Sequence, residues 1–70
     1  MNKDLLRYFM AKKSVSAGSL SEALGIDPST FSRKLNGHTE FVHGEIAGIA
    51  RTLDLTGEQV VDIFFADEVT

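Results

Sequence analysis

The tetrapeptide Gly25-Ile26-Asp27-Pro28 restricts this 70-residue chain more than any other stretch. A glycine supplies the left-handed residue on which a helix stops. An aspartate can cap the next helix by accepting from its free amides. A proline just after it falls at the first helical position, where a missing N–H costs nothing and φ is already set. Two short helices must therefore meet at a tight corner. Ser16 stands as the cap of the first, expected over 17–24, and Asn36-Gly37 stops the second. The unit spans about residues 16–37.

The rest of the chain reads as further helices around that corner, giving an all-α, five-helix domain covering 1–70. Leu5, Leu6, Phe9 and Met10 form the apolar stripe of a first helix from Lys3 to Lys13, capped by Asn2. The helix over 17–24 is expected to bury Leu20, Ala23 and Leu24. Phe41 tucks under the core from a polar loop. Ile46, Ile49, Ala50 and Leu53 mark a fourth helix from about His43 to Leu53, in which Ala47 and Gly48 permit a close crossing. Glu45 suits the third position of a capping box, but Val42 stands where the box wants a hydroxyl. Thr56 and Gln59 form a complete box for a fifth helix over 57–66. Val60, Ile63 and Phe64 share one face of it; Val61 and Phe65, extended by Val69, share another. A helix apolar on two sides must bury both. Either a second copy covers Val61 and Phe65, making a homodimer seam, or the helix wraps into a groove of its own domain.

A core of this size supplies only about 3–5 kcal/mol. With no cysteine there is no disulfide or thiolate metal site to reinforce it, which leaves a second subunit as the available helper. No stretch resembles a signal peptide or reaches the roughly 20 apolar residues of a membrane span. The expectation is a soluble intracellular protein.

The second helix of the corner turns Phe31 and Leu35 inward at i,i+4 spacing. Ser29, Ser32 and Arg33 are left on its outer face, with Thr30 and Lys34 at the edges. Such a pair of helices is a helix-turn-helix, in which the second helix enters the DNA major groove. Small hydroxyls allow close approach to a base edge, and an arginine can fork onto guanine O6 and N7. His38 and Thr39 follow directly, within reach of a phosphate. The net charge of −3 argues at first against nucleic acid. Its distribution reverses that. Through Gly37, six bases (Lys3, Arg7, Lys12, Lys13, Arg33, Lys34) face three acids (Asp4, Glu22, Asp27). From His38 onward Arg51 stands alone against seven acids. A basic face toward DNA and an acidic face turned away follow. Acids more than about 8–10 Å from the phosphates are largely screened.

These residues carry a family resemblance. L-S-E-A-L-G-I-D-P-S-T-F-S-R-K-L-N-G, Leu20 to Gly37, resembles the helix-turn-helix of the lambda repressor/Cro (XRE-type) superfamily, above all small phage-type regulators of Gram-positive bacteria. The similarity extends from Leu5 to about Phe65. It implies an all-α domain that binds operator DNA, as a two-fold dimer on palindromic sites, in the cytoplasm of a bacterial or phage-infected cell, at the nucleoid. It implies base contact from Ser29, Ser32 and Arg33, with Pro28 at the helix tip against the groove. It implies phosphate contact from Thr30, Asn36 and His38–Thr39, with Lys34 at the helix edge, and places Ser16 and Ala17 where the preceding helix abuts a strand. Relatives commonly carry Gln at the position of Ala17 and Thr or Ser at Val42, so a phosphate contact and a cap are missing here.

Two other functions compete. A protein-interaction module, antirepressor- or antitoxin-like, would use the helix over 57–66 and the acidic half. An enzyme is disfavoured. The repeated H-x-E of His38, Glu40, His43 and Glu45 lacks the i,i+4 register of a helical zinc pair, and no glycine loop cradles a phosphate. No cofactor, metal or small-molecule substrate is expected.

Overall fold

In a computed structural model, which describes residues 1–67, five α-helices follow one another: α1 (Lys3–Lys12), α2 (Ala17–Leu24), α3 (Pro28–Leu35), α4 (His43–Leu53) and α5 (Gly57–Phe64). No strand occurs among the described residues. Each helix starts where local chemistry dictates. The side chains of Asn2, Ser16, Asp27 and Thr56 accept from the first-turn amides of Leu5, Ser19, Ser29 and Gln59. Gln59 Oε1 accepts in turn from the Thr56 amide, completing the box. At α4 only half a box exists, because Val42 has no oxygen to offer. Glu45 Oε1 accepts from the Val42 amide at 2.9 Å.

Four helices end in one motif. The amide of a left-handed residue donates to the carbonyl three back, and the next amide to the carbonyl five back. Those left-handed residues are Ser14, Gly25, Gly37 and Asp54. The second bonds run from Val15 to Met10, Ile26 to Ser21, His38 to Arg33 and Leu55 to Ala50, at 2.9–3.0 Å. Val15, Ile26 and Leu55 then fold back against the core. His38 breaks the pattern and stays exposed. At Ser14 and Asp54 the motif uses a residue whose Cβ is disfavoured there, by about 1–2 kcal/mol in an unassisted case. Ser14→Gly and Asp54→Gly are each expected to stabilise the fold by about 0.5–1 kcal/mol, after allowing for glycine's greater freedom when unfolded. A thermal melt checks this, and a lowered midpoint would refute it.

Leu6, Phe9, Met10, Leu20, Phe31, Leu35, Phe41, Ile49, Leu53 and Ile63 form one core. Phe41 bridges it, its ring 5.6 Å from Phe31 and 5.9 Å from Phe64. α2 packs on both α3 and α4, while α5 closes on α1 and α4. The close crossing expected of α4 is made by Gly48, where a Cβ would lie 2.6 Å from Leu24 Cδ2. The start of α1 is joined to α5 by the Asn2 amide donating to the Ile63 carbonyl.

Three expectations need correction. Ala23 is exposed, and Ser21 is buried in its place at 1% exposure. Its hydroxyl donates to the Gly18 carbonyl at 2.8 Å, so no polar group is stranded. α1 ends at Lys12, with Lys13 as its C-cap. α5 ends at Phe64 instead of 66, with Phe65 as its C-cap. Val69 lies outside the described residues.

Candidate nucleic-acid interface

The corner forms as the caps require. Gly25 takes φ +69°, Asp27 accepts from the Ser29 amide at 3.0 Å, and Pro28 opens α3. Burial of Phe31 and Leu35 then fixes the rotation of α3 about its axis. Pro28, Ser29, Thr30, Ser32 and Arg33 are all left exposed. At the neighbouring N-terminus of α2, Ser16 and Ala17 are exposed too. The Ser16 hydroxyl both accepts from the Ser19 amide and contacts the Ser19 hydroxyl, each at 3.0 Å.

Polar chemistry along α3 is graded. At its tip Asp27 accepts from both the amide and the hydroxyl of Ser29. Those bonds, the hydroxyl's first, hold its carboxyl below the ordinary aspartate range. Further along, Asn36 Oδ1 accepts from Arg7 Nη2 at 2.8 Å, while Asn36 Nδ2 faces Ser32 Oγ at 3.4 Å. Arg7 thereby brings a cation from α1 to the end of α3. Nothing local in the sequence marks it for this place. Its partner lies 29 residues away. His38 and Thr39 are exposed just beyond.

Lys34, expected at the helix edge beside a phosphate, is engaged by the protein itself. Its ammonium donates to Glu45 Oε1 at 2.8 Å and to the Glu40 carbonyl at 3.2 Å. The side chains of Lys34 and Glu45 are only 13% and 14% exposed. The pair bolts the end of α3 to the start of α4, and the charge faces inward. Burial pushes the Glu45 carboxyl up, but the Lys34 ammonium and the Val42 amide outweigh it and hold the group below the ordinary glutamate range. A depressed carboxyl stabilises the fold fully above its unfolded pKa, about 4.3, and that contribution is lost as pH falls through the folded value. Lys34→Met should therefore cost about 1–3 kcal/mol at neutral pH by leaving a charged oxygen short of a partner. It should cost less once acid neutralises Glu45. Melts of both proteins across pH 3–7 check this; a constant difference would contradict it.

Of the two residues proposed for a dimer seam, Val61 is 38% exposed on α5. Phe65 is half-buried and lines a cleft with Phe64, Phe41 and Ile46. The histidines His38 and His43 are both exposed. Among the described residues no group of three or more His, Cys, Asp or Glu could hold a metal ion. None of the described helices is long and apolar enough to cross a membrane.

Two helices meeting at a capped corner, the second with a free polar face, define a helix-turn-helix DNA-binding protein. A family model of the Cro/C1-type HTH DNA-binding domain matches residues 5–65, and the chain belongs to that family. No curated protein and no solved structure matches the chain.

Proposed function

We propose that the protein is a transcriptional regulator of the repressor/Cro kind, binding operator DNA as a two-fold dimer with α3 in the major groove. The observation that carries this reading is the exposed row Pro28, Ser29, Ser32 and Arg33, on a helix locked from behind by Phe31 and Leu35. Ser29, Ser32 and Arg33 meet base edges, with Pro28 at the tip. Thr30, Asn36, His38 and Thr39, with Ser16 and Ala17 at the start of α2, lie along the phosphates. Lys34 holds the frame and gives the strand little direct charge. Val61 and Phe65 contribute to the subunit seam. The setting is the bacterial cytoplasm or a phage-infected cell.

Random-site selection tests the function, the dimer and the half-site spacing together. A palindrome with half-sites one helical turn apart, about 34–36 Å, is expected. Recovery of no enriched sequence would contradict the reading. Few cations lie on this face, so the salt dependence of binding should be shallow. The expected slope is about −0.9 per neutralised phosphate, for a handful of phosphates. A titration whose slope implies on the order of ten phosphates would refute this placement of the charge.

The exposed Val61 favours one alternative, a module that binds another regulator through α5. Co-purification of a partner protein together with no shifted DNA fragment at low salt would select it.

A further inference from the structure

Serine is an ambiguous reader of DNA, since its hydroxyl can donate to a base acceptor or accept from a base amino group. On α3 the protein's own hydrogen bonds bias this choice, in opposite senses at the two serines. We infer that Ser29 presents its oxygen lone pairs to an amino group of a base, while Ser32 presents its hydroxyl hydrogen to a base acceptor such as N7 or O6. This deepens the operator-binding reading and rests on it.

Ser29 is set by Asp27. An ionised carboxylate only accepts, so the bond between them requires Ser29 to donate. Its hydrogen is directed at Asp27, and its lone pairs remain for the groove. Ser32 is set by a relay that begins on another helix. The Arg7 guanidinium only donates, so the Asn36 carbonyl oxygen must face it, as it does at 2.8 Å. The Asn36 amide nitrogen is thereby turned to Ser32, and Ser32 Oγ accepts from it at 3.4 Å. Other helical hydroxyls donate inward: Ser21 to Gly18 and Thr52 to Gly48, both at 2.8 Å. The bond from Asn36 takes one of the two Ser32 lone pairs and leaves its hydrogen, which no protein group among the described residues accepts, to favour donation to DNA. The tip of α3 is therefore an accepting surface (Asp27, Ser29). The turn after it is a donating one (Ser32 and Arg33, with Arg7 behind). Arg7 and Asn36 are positioning residues in this scheme.

The test uses the duplex recovered by selection, scanned with base analogues in binding titrations. The N7 acceptor is deleted with 7-deazapurines and the O6 acceptor with 2-aminopurine for guanine, and amino groups with purine for adenine or 2-pyrimidinone for cytosine. At one position, acceptor deletion should weaken wild type about fivefold, the size of one hydrogen bond, and should have no effect on Ser32→Ala. At a different position, amino deletion should weaken wild type similarly and leave Ser29→Ala unaffected. Asn36→Asp reverses the relay: aspartate pairs with Arg7 but can only accept, so Ser32 must donate to it. The Ser32 coupling should then move from acceptor to amino deletions. Thermal melts of each variant show that the fold is retained. Coupling of Ser29 to an acceptor, coupling of Ser32 to an amino group in wild type, or no change in Asn36→Asp would overturn the inference alone. Failure of wild type to select any sequence would overturn the operator reading, and this inference with it.

Discussion

Replacing Phe31 by alanine is expected to unfold most of the domain at room temperature. Phe31 is 0% exposed and stands where α3 meets the Phe41 ring. Truncating a buried phenylalanine costs about 3–5 kcal/mol in lost transfer energy and cavity. A core in a chain this short supplies only about 3–5 kcal/mol in all. The two figures are equal, so little folded population should remain, and DNA binding should disappear with it. Helical circular dichroism with a urea titration measures this directly. A cooperative transition with a midpoint close to wild type would show that the core is more redundant than its packing indicates. Phe31→Leu, which keeps most of the volume, should retain the fold.

Arg33→Ala is expected to do the reverse, sparing the fold and damaging recognition. Arg33 is exposed on α3 and makes no ion pair with any described residue. Alanine is also the better helix former, so the melting temperature should be unchanged or slightly raised. Loss of a bidentate guanine contact costs about 1–3 kcal/mol on the selected site, roughly 5- to 150-fold in affinity. Binding to random DNA should weaken far less, by about one phosphate's worth. Arg33→Lys should not restore discrimination, because an ammonium cannot make the planar two-pronged contact. Equal losses on selected and random DNA would show that Arg33 serves only as charge.

The contrast between these variants follows from α3 having one buried and one exposed face, a division legible in the amino-acid pattern alone. Ser16, Asp27-Pro28, Gly25 and Gly37 act through bonds to residues two to five positions away, so α2 and α3 have the predicted bounds. Where the deciding partner is distant, local reading fails. Lys34 looks like an edge cation until Glu45, eleven residues on, turns it inward. Arg7 reads only as one of six bases in the first half of the chain until Asn36, 29 residues on, receives it. Ser21 is polar where Ala23 is apolar, yet it is Ser21 that is buried, because its hydroxyl bonds within its own helix. Ser14 and Asp54 lack the glycine that usually marks a left-handed helix end. The end of α5 carries no stop signal at all, and it falls two residues short of the apolar pattern.

The claim on which the function depends is that the exposed face of α3 is the surface that meets DNA. Amide chemical-shift mapping of labelled protein against the selected duplex tests it most directly. The largest changes are expected at Ser29 to Arg33, with smaller ones at Ser16, Ala17, Asn36, His38 and Thr39. Changes confined to α5 around Val61 and Asp62, with α3 silent, would contradict it.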